Sequence, residues 1–210
     1  MNWLAHLFLS EDDPAYRIGN VVADWVKGEA RRLLPPEVQR GIACHLEIDR
    51  FTDAHPVVRA SLARFQSPFR RFAGVLVDVF YDHFLAHDWM RYCDRPLAQW
   101  TKQVYAQLTA PEVPLHPQLR ANLMRMARED WLGGYASLDG VRAILRRIAA
   151  RMSRPVPLAE GVAVLCAHYE ELRADFHAFF PELRAHVHNW QNHQRAAARH
   201  AEGEHATTQL

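Results

Sequence analysis

The stretch VLVDVFYDHFLAHDW, residues 75–89, decides the fold class of this chain. Its apolar side chains recur at helical spacing on nearly every side, with only a few acids and histidines between them. A helix that is apolar on most sides has to be covered by other elements. We therefore expect a helix from about residue 68 to residue 92 that crosses the middle of the hydrophobic core.

Other segments outside this stretch show the same helical period and are separated by prolines and capping residues. The sequence predicts them at residues 2–9, 16–27, 37–54, 57–65, 96–109, 117–132, 138–152 and 157–180, with Pro181 breaking or restarting the last. No segment alternates convincingly as a strand. We predict an all-α protein with a single compact multi-helix domain over residues 1–188, followed by a polar, disordered tail at 189–210.

Composition excludes several classes of protein. The 210 residues carry a formal net charge of +1, which predicts no strong attraction to nucleic acid or to a membrane surface. No run approaches the roughly 18 apolar residues of a membrane span. The opening lacks a basic leader, and the three cysteines are far apart without CxxC spacing. We expect a soluble, cytoplasmic protein.

Asp24 interrupts an apolar segment, between Val22 and Trp25. A lone buried carboxylate is costly, so this one should be paired, protonated or bound to a metal ion. The alternative is an aspartate that faces solvent on an amphipathic helix.

His45, Asp49 and Asp53 follow one another at intervals of four residues, which places them on one helix face. His45 and Asp49 are then about 6 Å apart along the axis and can converge on one ion, whereas Asp53 is about 12 Å from His45. Asp53 therefore suits a ligand of a second metal, a residue that supports the ligands of the first, or a residue of the helix end. The alternative is a solvated, ion-paired face that also includes Glu47 and Arg50.

Asp78, Asp82 and His83 form a third polar group, on the most apolar helix. Two carboxylates on one apolar stripe repel each other unless a cation lies between them. The alternative is a buried polar network satisfied by arginine or tyrosine partners. Oxygen and imidazole ligands without thiolate favour Mn²⁺, Mg²⁺ or Fe²⁺, and such a site can activate water and neutralise a phosphoryl group.

Four motifs, in this order, resemble those of the bacterial acyl-carrier-protein phosphodiesterases. They are N-W-L-A-H-L at residues 2–7, G-N-x-x-x-D at 19–24, H-x3-D-x3-D at 45–53 and D-x3-D-H-F-L at 78–85. The likeness extends from the first residue to about residue 180. Each motif alone is modest, but the four together are specific.

The resemblance implies an all-helical, divergent relative of the His-Asp (HD) metal-dependent phosphohydrolases that requires Mn²⁺ or Mg²⁺. It implies hydrolysis of the phosphodiester joining 4'-phosphopantetheine to a serine of holo-acyl-carrier protein. The metal ligands would be His6, Asp24, His45, Asp49, Asp78 and Asp82. The catalytic residues would be Asp24, Asp53 and His83, of which Asp53 or His83 would be the acid–base group. The order Asp82-His83 reverses the dyad of that superfamily.

An acyl-carrier protein is strongly acidic, so the resemblance also implies a basic docking surface. The candidates are Arg31-Arg32, Arg70-Arg71 and a run at helical spacing: Arg142, Arg146, Arg147, Arg151 and Arg154. Of these we expect Arg142, Arg146 and Arg147 to contact the partner, although a solubilising face explains them as well. Two other functions remain open: a phosphohydrolase acting on nucleotides, and a non-catalytic helical module that binds an acidic partner. The sequence leaves the oligomeric state open.

Overall fold

Helices account for the secondary structure of this protein in a computed structural model that describes residues 1–110 and 112–207. The α-helices are α1 Trp3–Phe8, α2 Pro14–Val22, α3 Pro36–Ala54, α4 Pro56–Ala63, α5 Ala73–His87, α6 Leu97–Leu108, α7 Pro117–Arg128, α8 Leu138–Ala149, α9 Val162–Ala167 and α10 Tyr169–Thr207. These two ranges contain no strand, so the all-α prediction is confirmed. No helix within them is long and apolar enough to cross a lipid bilayer.

Helix α5 lies at the centre of the core, as its composition predicts. It packs against α1, α4, α8 and α10. Its fully buried side chains include Leu76, Val79, Phe80, Phe84 and Leu85. The helix is shorter than the predicted 68–92, because Arg70–Phe72 and Trp89–Arg91 form separate 3₁₀ turns at its two ends.

Helices α2 and α3 cross at backbone contact. A Cβ atom on Gly19 would lie 2.0 Å from the carbonyl oxygen of Val38, and one on Gly41 would lie 2.0 Å from that of Tyr16. Only glycine fits at this crossing, since such distances are far inside van der Waals contact. The crossing brings Asn20 of α2 next to the middle of α3, where His45 lies.

Other helix boundaries differ from the predictions as well. Helix α2 ends at Val22 instead of residue 27, because the chain turns there with Trp25 and Val26 both donating to the Val22 carbonyl. Asp24 is therefore on a turn and not on a helix face. The predicted helix at 157–180 is instead a 3₁₀ turn, Leu158–Gly161, followed by α9 and the start of α10.

Helix α10 also continues through Pro181 and through the segment predicted as a tail, as far as Thr207. Gln191, in that segment, is buried and donates to the carbonyl of Leu9 at 2.9 Å. The helix therefore carries side chains onto the domain beyond residue 188. The boundary at 188 stays a prediction, and residues 208–210 lie outside the described ranges.

Candidate functional site

An open cleft of about 470 Å³ lies where α1, the turn after α2, the middle of α3, the start of α5 and the residues after α8 meet. Four carboxylates and two imidazoles line it: Asp24, Asp49, Asp53, Asp78, His6 and His45. The structure thus brings together residues from four of the sequence motifs. Trp3, Arg151 and Met152 complete much of the remaining wall.

His6, His45 and Asp49 form the centre of this cleft. Each offers one ligand atom, and these atoms lie within 4.8 Å of one another. His6 Nε2 is 3.1 Å from Asp49 Oδ1, and His45 Nε2 is 3.1 Å from Asp49 Oδ2. The two imidazole rings stack with their centroids 4.1 Å apart. The cluster thus brings a nitrogen of each ring within 3.1 Å of one carboxylate.

Asn20 fixes which nitrogen of each imidazole faces the cleft. Its amide nitrogen donates to the His6 carbonyl at 3.1 Å and to Ser10 Oγ at 2.8 Å, so its Oδ1 is the atom that accepts from His6 Nδ1 at 3.0 Å. Its backbone carbonyl accepts from His45 Nδ1 at 2.8 Å. Both Nδ1 atoms therefore carry a proton, and in the neutral rings both Nε2 atoms have a free lone pair.

In this arrangement the Nε2 lone pairs of the neutral rings face the carboxylate oxygens of Asp49, and both are hydrogen-bond acceptors. Burial, reinforced by the charge of His45, lowers the pKa of His6 to about 4, so His6 is neutral near pH 7. Its Nε2 is buried and makes no hydrogen bond to any described residue, although Asp49 Oδ1 is 3.1 Å away. Two electron-rich atoms at this separation repel each other, and a cation between them would remove the repulsion.

His45 shows the same demand for positive charge. Burial by itself lowers the pKa of His45, but the carboxylates of Asp24 and Asp49 outweigh it and raise that pKa to about 9. Burial likewise raises the pKa of Asp49, but the imidazoles of His45 and His6 hold it well below its usual range. The metal-free cluster therefore recruits a proton, which a divalent cation could replace.

The donor set fits a divalent metal ion of intermediate softness. Two imidazole nitrogens and a carboxylate suit Mn²⁺ or Fe²⁺ better than Mg²⁺, which prefers a shell made of oxygens. The Nδ1 hydrogen bonds to Asn20 are the outer-shell contacts that metal-binding histidines usually have. The residues present therefore fit such an ion.

Three further aspartates surround the cluster at greater distance. Asp24 Oδ1 is 3.5 Å from His45 Nε2, and about half of its side chain is exposed. Asp53, one turn along α3 from Asp49, is exposed at the cleft wall. Asp78 Oδ1 accepts from the amino group of Met1 at 2.8 Å. Asp24 is thus close enough to share an ion with His45.

Asp82 was predicted as a metal ligand, and the structure places it elsewhere. Its Oδ2 accepts from the backbone N–H groups of Leu4, at 2.7 Å, and Ala5, at 3.4 Å, while its Oδ1 accepts from that of Asn2, at 3.2 Å. The first N–H groups of a helix have no partner within the helix, and Asp82 supplies one for α1. Complete burial raises its pKa to about 7. This carboxylate joins α1 to α5.

His83 was predicted as a catalytic residue, and it also lies outside the cleft. Its Nδ1 donates to the carbonyl of Tyr135 at 2.8 Å, which leaves Nε2 to accept from the hydroxyl of Tyr169 at 3.0 Å. Both ring nitrogens are occupied and the side chain is buried. The alternative of a buried network with tyrosine partners describes His83 correctly.

The predicted docking arginines of α8 do not reach the cleft either. Arg142 pairs with Asp139 at 3.0 Å, and Arg147 lies over the ring of Trp131 at 4.2 Å. Arg146 is exposed to solvent. Arg151, just past the end of the helix, is the member of this run that lines the cleft.

Asn20 and Trp3 are site residues that the sequence analysis left without a role. The signal for Asn20 was an amide beside Val21 and Val22, a polar side chain inside an apolar segment. Trp3 is buried at the cleft wall and stacks on Trp131 at 5.2 Å. Its position in an apolar helix of six residues gave no indication of this contact.

The chain is similar to known proteins over most of its length. The profile of a family described as acyl carrier protein phosphodiesterase matches residues 1–183. A relative named acyl carrier protein phosphodiesterase, from Escherichia coli O6:H1, is 35% identical over 185 residues, which cover 87% of this chain and 95% of the relative. Relatives of the same name from Serratia proteamaculans and Yersinia enterocolitica are 36% and 33% identical with the same coverage. No solved structure matches the chain significantly.

Proposed function

The chain belongs to the acyl carrier protein phosphodiesterase family, and we propose that its cleft hydrolyses the phosphodiester joining 4'-phosphopantetheine to a serine of holo-acyl carrier protein. The products are apo-acyl carrier protein and 4'-phosphopantetheine, so the protein acts as a phosphoric diester hydrolase. The proposal depends on one observation: the family profile matches residues 1–183, and these include every residue that lines the cleft.

We further propose that His6, His45 and Asp49 hold a divalent ion, Mn²⁺ or else Mg²⁺, with Asp24 beside them. The buried Nε2 of His6, which has no hydrogen bond within the described residues, supports this role. So does the grouping of the three ligand atoms within 4.8 Å. A bound divalent ion would neutralise charge on the phosphoryl oxygens and lower the pKa of a water molecule.

The protein's own groups would bind and orient the diester. Arg151 lines the cleft and can donate to the non-bridging phosphate oxygens, since guanidinium is suited to phosphate. Trp3, fixed against Trp131, forms a rigid wall beside the reacting group. Asn20 keeps both imidazoles in one tautomer throughout.

Proton transfer is assigned to Asp53. A water oxygen attacks phosphorus, the bond from phosphorus to the serine oxygen breaks, and the serine oxygen ends as a hydroxyl group. One proton must leave the water and one must reach the serine oxygen. Asp53 is an exposed carboxylate at the cleft wall and can accept the first of these at its carboxylate oxygens. His83 lies outside the cleft, with both nitrogens bonded, which supports Asp53 for this role.

The test is mass spectrometry of holo-acyl carrier protein incubated with this protein and Mn²⁺. We expect conversion to the apo form, no conversion with a chelator, and no conversion by the Asp49→Asn variant. Asp139→Asn is the matched control, because Asp139 is an exposed aspartate of α8 whose one ion-pair partner among the described residues is Arg142. Unchanged holo-protein with Mn²⁺ present would refute the proposal, and hydrolysis of nucleotides in a parallel assay would then favour a nucleotide phosphohydrolase.

A further inference from the structure

A second groove, of about 350 Å³, adjoins the cleft. Phe72, Met152 and Val156 give it an apolar floor, and Arg71 and Arg154 stand at its rim. Met152 lines both the groove and the cleft, so the two are neighbours on the surface. A large molecule that reaches into the cleft across Met152 would therefore also cover the groove.

Arginines surround this groove on the surface. Arg151 lies on its cleft side, and Arg70 lies beside Arg71 in the neighbouring surface depression. None of the four arginines (Arg70, Arg71, Arg151 and Arg154) forms an ion pair with a described residue. The Arg71 guanidinium lies 4.6 Å from the ring centre of Phe72, which holds it over the apolar floor. The groove is therefore a surface of uncompensated positive charge.

Most of the other basic candidates are already engaged. Arg31 donates to the carbonyls of Val26 and Ala23, and Arg32 pairs with Glu29 at 2.9 Å. On α8, as described above, Arg142 is ion-paired and Arg147 is stacked on an indole ring. Arg146 is exposed, but it lines neither the cleft nor the groove. Free positive charge next to the cleft is thus concentrated on the groove.

A protein substrate must use a surface of this kind. The cleft holds about 470 Å³, which suffices for a phosphodiester and the atoms next to it but not for a folded protein. Four aspartates line the cleft, so the cleft itself does not attract an acidic protein. The partner's acidic side can approach favourably only over the arginines.

We propose that the groove between Arg71 and Arg154, with Arg70 and Arg151 beside it, is the docking surface for the acidic face of the acyl carrier protein. The proposal rests on the proposed function, since it assumes that protein as substrate. It places the docking surface on the segment after α8 and the turn before α5, and not on Arg142, Arg146 and Arg147 of α8 as the sequence analysis expected. Apolar side chains of the partner would cover Met152 and Val156, while its carboxylates pair with the rim.

The test compares charge reversals by steady-state kinetics with holo-acyl carrier protein. The double variant Arg71→Glu/Arg154→Glu should raise KM on the order of 10-fold, because reversed charges at an interface rim slow association. The rise should be in KM, with much less change in kcat. Arg146→Glu is the matched control, an exposed reversal outside the groove, and should leave KM within about 2-fold of the wild type. Arg71→Lys/Arg154→Lys, which preserves charge, should restore most of the affinity.

The difference in KM between Arg71→Glu/Arg154→Glu and the wild type should disappear at high salt, because salt screens the interactions of exposed charges. This result would support the proposal further. An unchanged KM in this variant would overturn it, as would an equal rise in Arg146→Glu. Hydrolysis of bis-p-nitrophenyl phosphate, a small diester, reports on the cleft alone and should be similar in all variants. Failure of the wild type to cleave holo-acyl carrier protein would instead overturn the proposed function, and the docking surface with it.

Discussion

Asn20 should control metal affinity through His6, and the substitution Asn20→Ala tests this. The side chain is fully buried and makes three hydrogen bonds: to His6 Nδ1, to the His6 carbonyl and to Ser10 Oγ. Its backbone carbonyl, which holds His45, remains in the alanine variant. The substitution therefore releases one imidazole of the cluster and leaves the other in place.

The structure gives a magnitude for both effects. Three hydrogen bonds of about 0.5–1.5 kcal/mol each predict a loss of about 1.5–4.5 kcal/mol in the free energy of unfolding. Loss of an outer-shell partner predicts Mn²⁺ binding weaker by about 10- to 100-fold, equivalent to about 1.4–2.8 kcal/mol. The second effect arises because His6 can then rotate or carry its proton on Nε2, which removes the lone pair from the cleft.

Isothermal titration with Mn²⁺ measures the affinity, and urea unfolding of the metal-free protein measures the stability. Ser10→Ala is the control: it removes the hydrogen bonds of Ser10 to Asn20 and to the His6 carbonyl but leaves His6 Nδ1 untouched. We expect Ser10→Ala to lose stability and keep its Mn²⁺ affinity. A folded Asn20→Ala protein that binds Mn²⁺ as tightly as the wild type would refute the tautomer argument.

Three other substitutions or conditions give equally direct tests. Asp82→Asn should lower the free energy of unfolding by about 1–3 kcal/mol, because an amide N–H₂ would replace one of the two oxygens that accept from α1. A loss of Mn²⁺ affinity without a loss of stability would instead show that Asp82 is a metal ligand. Gly41→Ala should lose at least about 2 kcal/mol in urea unfolding, since its Cβ would lie 2.0 Å from the Tyr16 carbonyl, whereas Gly74→Ala meets nothing within 4 Å and should be neutral. For the metal-free protein, the raised pKa of His45 stabilises the fold fully below about pH 6.5, and this contribution is lost as the pH rises through about 9. Unfolding measured across this range should show that decline, and an equally steep decline in His45→Gln would contradict the assignment.

The sequence predicted the helices well because apolar periodicity reports directly on burial. Helix α3 was expected at 37–54 and lies at Pro36–Ala54, and the central position of α5 followed from its composition. The end of α2 was missed because the apolar pattern continues through Trp25 and Val26. Trp25 and Val26 pack against the core although they belong to a non-helical turn. Periodicity alone cannot distinguish such a turn from a continuation of the helix.

The cleft was predictable only in part, because spacing along a helix does not say which element covers it. Asp78 and Asp82 lie four residues apart on α5, and both were expected to hold a metal ion. The first lines the cleft, and the second is covered by the start of α1. On α3, His45 and Asp49 lie at the cleft, while Glu47 and Arg50 form the ion pair of the alternative interpretation. The two interpretations describe different faces of one helix.

The difference between Asp49 and Asp82 lies in what their oxygens face. A buried carboxylate must find a partner with positive character. Both oxygens of Asp82 face backbone N–H groups, which are permanent donors, so neither oxygen faces another acceptor. Both oxygens of Asp49 face Nε2 atoms of rings whose Nδ1 proton is fixed by Asn20. Those nitrogens are acceptors until they bind a proton or a metal ion. For this reason Asp49 and the two histidines beside it are the groups that a cation would stabilise.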